Sequence, residues 1–379
     1  MALVEGVCAP RFAPVQAALA SRLGSGAELG ASLVVDIDGE CVVDVWGGHR
    51  DAARTRLWER DTISNVWSCS KAVTNLAALI LVDRGELDVH APVAAYWPQF
   101  AANGKSEIEV RHLLAHTSGV SGWEQPMTVA DMEDVPTATA RLATQAPWWE
   151  PGTASGYHAS SQGHLVGEVV RRVSGRGLQE FVAQEIAGPL GADFRYGAPE
   201  SEWGRIADVV PPPPLDIDLS ALDPQSPAVK TLTGPATDAA EANTPAWRAA
   251  AMGAVNGHSH ARGLNRILSC LSLGGSVDGV RLLSEKTIDL IFDEQADGID
   301  LVLGVPLRWG IGYGLPSASV PYLVGDRLCF WGGWGGSLVV MDRDRRLTVT
   351  YTMNKMAPGI IGSDRSQAYL EAVEGSLAA

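Results

Sequence analysis

Segments with strand patterns lie near both ends of this chain, and their placement constrains the fold more than any other feature. Residues 30–48 alternate apolar and polar side chains on both sides of Asp38-Gly39, a pair favoured in two-residue hairpin turns. Near the other end, the pattern predicts strands at about 328–331, 336–341 and 347–353. Because the strands near both ends of the chain need hydrogen-bonding partners, the sequence predicts an α/β fold of the α+β type. One antiparallel sheet would be formed by both chain ends and flanked by helices, with a mainly helical lobe inserted.

The middle of the chain is predicted to be helical or irregular. Helical patterns follow Ser68 and cover about Val110–His116, Ser161–Val173 and, at the end, Ser366–Leu377. Residues 209–230 are proline-rich and predict a long surface loop or lid. We expect one catalytic module over residues 1–379, in which 1–75 and 250–379 form an α/β lobe and 76–249 the inserted helical lobe.

Composition excludes several classes of function. The chain has 379 residues, of which 46% are hydrophobic and 19% charged, as in globular proteins. Its net charge of −15 disfavours nucleic acid or anionic lipid as a partner. The N-terminus does not resemble a signal peptide and no apolar run is long enough to cross a bilayer, so we expect a cytoplasmic protein. The five scattered cysteines predict neither disulfides nor a metal site, and we expect no cofactor.

One lysine lies where a catalytic base would be useful. Only five of the 29 basic residues are lysines, and only Lys71 has a serine, Ser68, three positions before it. In a helix beginning near Ser68, these two side chains share a face, whereas Ser70 points about 200° away from Ser68. The apolar helix would partly desolvate the Lys71 ammonium and lower its pKa. Ser68 at the helix N-terminus would also feel the positive end of the helix dipole. S-x-x-K alone is common by chance, so this spacing needs further support.

Support comes from three further motifs in the chain. These are L-L-x-H-T-S-G at 113–119, P-G-T with a tyrosine at 151–157, and W-G-G at 331–333. In their order and spacing, together with S-x-x-K at 68–71, the chain resembles the serine β-lactamase-like superfamily. It is most similar to the family VIII carboxylesterases, which share a fold with class C β-lactamases and penicillin-binding proteins. Weaker sequence similarities in other segments extend the resemblance over nearly the whole chain.

The resemblance implies a role for each matching residue. Ser68 would be the nucleophile, Lys71 its base, and Tyr157 the group that shares a proton with Lys71 and passes it to the leaving group. The backbone N–H groups of Ser68 and Trp334 would form the oxyanion hole. A tyrosine beside a lysine ammonium is expected to ionise more easily than a free one. The substrate pocket would include Trp331, Gly332, Gly333 and His158.

Two departures from the lactamase pattern concern substrate choice. The lactamase Tyr-x-Asn reads Tyr157-His158-Ala159 here, and Trp331 replaces the lysine of K-T-G that pairs with a substrate carboxylate. An indole cannot pair with a carboxylate and offers apolar surface instead. Both changes favour neutral esters over β-lactams and peptides with a free carboxylate.

A competing nucleophile must be weighed. Residues 257–261, G-H-S-H-A, nearly match the elbow G-x-S-x-G around Ser259. That elbow needs a preceding buried parallel strand, whereas the upstream residues are helical in character. We therefore expect His258 and His260 to be polar residues at a helix N-terminus that line the site or are exposed. His116 and Ser118 are expected to lock a turn beneath the site. Of the twelve tryptophans, some could form an aromatic acyl pocket.

The sequence thus predicts a serine carboxylesterase that hydrolyses small, neutral, short-chain esters through an acyl-enzyme. Alternatives are an acyltransferase with an alcohol acceptor, or an amide hydrolase such as a β-lactamase or D-amino-acid peptidase. A homologue without catalytic activity is a further alternative, which the intact Ser68, Lys71 and Tyr157 set disfavours.

Overall fold

A nine-stranded antiparallel sheet forms the centre of the fold. The structure, a computed structural model, describes residues 3–213 and 223–379. Its sheet has the strand order β1-β3-β2-β14-β13-β12-β11-β10-β9. Two small sheets hold the other strands. The strands are β1 (Val4–Cys8), β2 (Gly30–Ile37), β3 (Glu40–Gly48), β4 (Ser64–Asn65), β5 (Phe194–Tyr196), β6 (Gly257–Ser259), β7 (Ser276–Val277), β8 (Val280–Arg281), β9 (Ala296–Ile299), β10 (Pro306–Trp309), β11 (Gly314–Leu315), β12 (Leu328–Gly332), β13 (Leu338–Asp342) and β14 (Leu347–Met353).

The two chain ends meet in the middle of this sheet. Strand β14 pairs antiparallel with β2, from Leu347 opposite Ile37 to Met353 opposite Ala31. The hairpin between β2 and β3 turns at Asp38 and Gly39, whose φ angles of 54° and 83° are those of a two-residue turn that follows the sheet twist. The α+β fold with one sheet built from both ends is therefore confirmed, while the lobe boundaries stay a prediction.

Helices cover the sheet and fill the middle of the chain. They are α1 (Ala13–Ser25), α2 (Cys69–Asp83), α3 (Val93–Tyr96), α4 (Val110–Leu114), α5 (Val129–Glu133), α6 (Val135–Thr144), α7 (Ser161–Ser174), α8 (Leu178–Val182), α9 (Gly188–Leu190), α10 (Pro227–Thr233), α11 (Pro245–Ala249), α12 (Ala261–Ser272), α13 (Glu285–Asp289) and α14 (Asp364–Ala378). The predicted helices after Ser68 and near 110, 161 and 366 are all present.

Helix α2 lies in the interior, and this positions the site. Every residue from Cys69 to Leu81 is buried, as expected for a helix that is apolar on all sides. It packs against α7 and α8 and contacts β12 at the sheet. Its N-terminus therefore opens onto the junction between sheet and helices.

The structure of the proline-rich stretch agrees only in part with its prediction as a long loop. Residues 214–222 of the predicted loop at 209–230 lie outside the described residues. The described remainder includes a bridge from Val210 to Lys355 and the start of α10 at Pro227. Pro227 is tolerated there because the first helical turn needs no N–H from that residue. The prediction of irregular structure up to residue 230 was therefore wrong at its C-terminal end.

Candidate active site

Ser68 lies at the N-terminus of α2, directly after a residue with strained backbone. Trp67 has φ 49°, in the left-handed region that a bulky side chain rarely adopts. A bridge to Asn256 and a 2.9 Å hydrogen bond from the Val66 N–H to the Gly257 carbonyl hold this turn. Ser68 itself remains 5% exposed and lines a cavity. The strained turn thus places the hydroxyl at the cavity wall.

Lys71 is fully buried beside Ser68. Its Nζ lies 2.9 Å from Ser68 Oγ, 2.7 Å from the Ala159 carbonyl and 3.0 Å from the Ala254 carbonyl. Among the described residues no carboxylate pairs with it, and burial holds its pKa well below the ordinary value. A neutral amine has two N–H groups for the two carbonyls, so its lone pair is left for the Ser68 hydroxyl.

Tyr157 joins this pair, but its electrostatics differ from the expectation. Lys71 Nζ lies 4.9 Å from the centre of the Tyr157 ring. Burial raises the pKa of Tyr157 above its usual value, and hydrogen bonding with Ser68 and Trp331 only partly opposes this. The predicted easy ionisation was wrong because burial disfavours the phenolate and is the largest influence on the pKa of Tyr157. The tyrosine is therefore a neutral phenol that can donate a proton.

The H-T-S-G turn supports the loop that carries Tyr157. His116, with φ 62°, accepts at Nδ1 a 3.0 Å hydrogen bond from the His158 N–H. Nδ1 of His158 donates to the Gly156 carbonyl, so its Nε2 accepts from the Ser118 hydroxyl, both at 2.6 Å. The expectation that His116 and Ser118 lock a turn beneath the site is confirmed. His158 is fully buried, and burial lowers its pKa to about 4. It braces the loop and does not face the cavity that holds Ser68.

The end of β12 lies against the start of α2. In the described part of the chain, the backbone N–H groups of Ser68 and Trp334 have no backbone acceptor, so both are free to bind an oxyanion. Gly333 permits the close approach, since a Cβ there would lie 2.6 Å from the Val66 carbonyl oxygen. The Cys69 thiol also contacts the Trp331 carbonyl at 3.6 Å. These contacts fix the position of the Trp334 N–H relative to Ser68.

Gly333→Ala is therefore expected to lower kcat for p-nitrophenyl butyrate by roughly 10²–10³-fold, the effect of losing one oxyanion donor. The added methyl would push the end of β12 away from Val66 and displace the Trp334 N–H. Gly204→Ala is the control, because a Cβ at that position meets no atom within 4 Å. Wild-type kcat in Gly333→Ala would show that the Trp334 N–H does not stabilise the transition state.

The cavity at Ser68 is apolar. Its volume is about 340 Å³. None of its described lining residues is Asp, Glu, Lys, Arg or His. The lining residues are Trp67, Ser68, Tyr157, Ala159, Ser160, Thr231, Leu232, Pro235, Thr237, Trp247, Val255, Trp334 and Ile360. Three of the twelve tryptophans, Trp67, Trp247 and Trp334, thus line the cavity, in line with the predicted aromatic pocket. The wall at 231–237 was missed, because only the fold brings that segment to the site.

Trp331 does not line this cavity. It is 2% exposed, and its ring packs at 5.5 Å from Trp309 and 5.7 Å from His116. With Gly332 and Tyr157 it lines a second cavity of only about 20 Å³. Trp331, Gly332 and Gly333 were predicted to line the substrate pocket, but none of them lines the cavity at Ser68, and Gly333 lines neither cavity. The place of the lactamase lysine is filled by a buried aromatic cluster.

Ser259 is not placed as a nucleophile. It lies at the end of β6, whose neighbours β4 and β5 are both antiparallel, and its buried hydroxyl donates to the Asp193 carbonyl at 2.6 Å. His260 begins α12 and accepts the Gly263 N–H, as predicted for a helix N-terminus. His258 and His260 are both buried and line neither cavity, so the expectation that they line the site or are exposed was wrong. Burial lowers their pKa values to about 3 and about 4.

Ser70 is not placed to act as the nucleophile, because its side chain points away from the cavity, as predicted. Its hydroxyl is fully buried and accepts a 2.8 Å hydrogen bond from the Gly257 N–H. This bond ties α2 to β6 and keeps Ser70 away from the cavity.

Residues 3–213 and 223–379 contain neither a metal-ligating cluster nor a membrane-spanning helix. No group of three or more histidine, cysteine or acidic side chains has an arrangement that could hold a metal ion there. In the same ranges, no helix combines the length and hydrophobicity needed to span a bilayer.

Comparisons with known proteins agree over almost the full length. The family described as Beta-lactamase matches residues 15–374. The esterase/beta-lactamase LipL of Mycobacterium tuberculosis (strain ATCC 25618 / H37Rv) is 32% identical over 376 residues, covering 96% of this chain and 86% of LipL.

Two solved structures are similar throughout. A family VIII carboxylesterase has 38% identity and a TM-score of 0.92, covering 99% of this chain and 100% of the other. A penicillin-binding protein homologue from Caulobacter crescentus has 34% identity and a TM-score of 0.91, with the same coverage. The chain therefore belongs to the β-lactamase family, as a serine hydrolase similar to family VIII carboxylesterases.

Proposed function

We propose that this protein hydrolyses short-chain, neutral carboxylic esters through an acyl-enzyme on Ser68. The observation that carries the proposal is the fully buried Lys71 amine, whose pKa burial holds well below its ordinary value. Its Nζ lies 2.9 Å from Ser68 Oγ, at a cavity whose described lining has no acidic or basic side chain. A deprotonated amine at this distance is a general base for the hydroxyl. An apolar cavity selects a substrate without charge.

In the acylation step, Ser68 Oγ attacks the ester carbonyl as its proton moves to Lys71 Nζ. The carbonyl oxygen becomes an oxyanion, which accepts hydrogen bonds from the N–H groups of Ser68 and Trp334. When the C–O bond to the alcohol breaks, the neutral Tyr157 phenol protonates the leaving oxygen. The Lys71 ammonium then passes the proton that it took from Ser68 to Tyr157, so Lys71 and Tyr157 are restored and, in net terms, Ser68 has lost one proton and the alcohol has gained one.

Deacylation uses the same groups with water in place of the alcohol. Lys71, neutral again, accepts a proton from the water as its oxygen attacks the acyl carbonyl. The Ser68–acyl bond breaks, Ser68 Oγ regains a proton, and the acid leaves. No residue other than Ser68, Lys71 and Tyr157 is needed to move protons in either step, in line with the Ser-His-Asp logic on other folds.

Among the described residues that line the cavity at Ser68, none would offer a substrate carboxylate a cationic partner. At the position that the resemblance assigns to the lactamase lysine, Trp331 lies among buried aromatic rings, and burial holds the pKa of Lys71 well below its ordinary value. Desolvating a carboxylate without a partner costs roughly 1–3 kcal/mol or more. LipL is named both as an esterase and as a beta-lactamase, and slow β-lactam turnover is compatible with this site.

We therefore expect turnover of p-nitrophenyl esters from acetate to butyrate. The kcat/KM for nitrocefin should be lower than for the best ester by at least about tenfold, equivalent to about 1.4 kcal/mol. The measurement is an ester series from acetate to decanoate with nitrocefin alongside, after titration of active sites with a phosphonate. Nitrocefin hydrolysis as efficient as that of the best ester would contradict the proposal and favour the lactamase alternative.

A further inference from the structure

A buried carboxylate that the sequence did not single out holds the backbone of Tyr157. Asp300, in the connection between β9 and β10, is fully buried. Its Oδ1 accepts three hydrogen bonds of 3.0 Å, from the N–H groups of Tyr157, Val302 and Leu303. The adjacent Leu301 N–H donates to the Ser155 carbonyl at 2.8 Å. Two segments more than 140 residues apart in sequence are thus joined at the catalytic tyrosine.

The other oxygen of this carboxylate has no partner. Among the described residues, Asp300 Oδ2 is buried and makes no hydrogen bond. Burying a half-satisfied carboxylate is unfavourable, and an apolar side chain would avoid that cost. The arrangement therefore calls for a role beyond the local turn.

We propose that Asp300 is a positioning residue for Tyr157, which holds the phenol in line with the leaving oxygen of the ester. This inference rests on the proposed function, in which Tyr157 donates that proton. Asp300 Oδ1 fixes the main chain of Tyr157 from one side, while the His116 ring packs on the Tyr157 ring at 4.9 Å. The negative charge of Asp300 also contributes to the raised pKa of Tyr157, which keeps the phenol protonated.

The choice of leaving group separates this role from simple structural support. A p-nitrophenolate leaves readily without a proton, whereas an alkoxide must be protonated as it leaves. A displaced Tyr157 therefore slows an alkyl ester more than an aryl ester with the same acyl group. A general loss of folded protein would slow both equally.

The test compares kcat for ethyl butyrate and p-nitrophenyl butyrate in Asp300→Ala, Asp300→Asn and Tyr157→Phe. Asp300→Ala should lose about tenfold more activity on the ethyl ester than on the aryl ester, with KM for either changed by less than about threefold. Tyr157→Phe should show the same selectivity, and the double variant should add little, as for residues that act as a unit. Asp300→Asn keeps an acceptor for the three N–H groups. Its ratio of kcat for ethyl butyrate to kcat for p-nitrophenyl butyrate should therefore stay near the wild-type value.

Asp51 provides the matched control. It is a largely buried aspartate whose Oδ1 accepts the backbone N–H groups of Thr55 and Arg56 at 3.1 and 2.8 Å, and none of these three residues lines the cavity at Ser68. Asp51→Ala should lower the melting temperature without changing the ratio of the two esters.

Equal losses on the two esters in Asp300→Ala, when Tyr157→Phe discriminates between them, would overturn the role of Asp300 alone. If Tyr157→Phe itself does not discriminate, the proton-donor role of the proposed function fails first and the inference fails with it. If Asp300→Ala does not fold, the Asp300→Asn variant provides the test. A ratio of kcat for the ethyl ester to kcat for the aryl ester as low as that of Tyr157→Phe would overturn the positioning role of the Oδ1 acceptor.

Discussion

Ser68→Ala is expected to reduce kcat for p-nitrophenyl butyrate by about 10⁴-fold or more, because a nucleophile knockout leaves only binding and oxyanion stabilisation. The hydroxyl is 2.9 Å from Lys71 Nζ and lines the apolar cavity; Ser160 also lines the cavity, but among the described residues no other serine hydroxyl contacts Lys71 Nζ. Steady-state kinetics and loss of phosphonate labelling both measure the effect. The stability of the fold should change little, since the side chain is small and lies at the cavity wall.

Two serine variants provide controls for this result. Ser259→Ala and Ser70→Ala remove buried hydroxyls that bond only to backbone groups, so each should cost about 1 kcal/mol of stability and keep most activity. An inactive Ser259→Ala together with an active Ser68→Ala would refute the nucleophile assignment.

Lys71→Met is expected to lower kcat by roughly 10²–10⁴-fold, the usual contribution of a general base. Lys71→Arg should be nearly as damaging, since arginine stays protonated and cannot accept the proton of Ser68. Because burial depresses the pKa of Lys71, the active form is the neutral amine. In the wild type, kcat/KM should therefore rise with pH through the pKa of Lys71 and fall as the pH drops below it. That acid limb should disappear in Lys71→Met.

Lys105 offers a matched control for this variant. It too is buried, its pKa is lowered by burial to about 8, and its Nζ donates to the carbonyls of Ala102 and Gln145. It does not line the cavity at Ser68. Lys105→Met should leave kcat and its acid limb unchanged. Wild-type kcat in Lys71→Arg would show that residue 71 supplies charge and not a base.

Local sequence was enough to place the groups that lie close together in the chain. The three-residue spacing of Ser68 and Lys71 fixes a shared helix face, and Asp38-Gly39 fixes a two-residue hairpin turn. The antiparallel sheet followed from the same kind of periodicity, because side chains alternate with a period of two in any strand. The motif at 116–119 was also interpreted correctly as a supporting turn, since its residues act on a neighbouring loop.

Tertiary structure alone decided the protonation states and the shape of the site. The pKa of Lys71 is lowered by burial, and the segments that bury it include those of Ala159 and Ala254, 88 and 183 residues away, whose carbonyls its Nζ contacts. The protonated state of Tyr157 depends on burial and on Asp300, and neither is visible in the residues beside the tyrosine. Desolvation is a property of everything packed around a group, so no local pattern encodes it. For the same reason His158, adjacent to Tyr157 in sequence, proved to brace the loop, while the distant segment 231–237 forms part of the cavity wall.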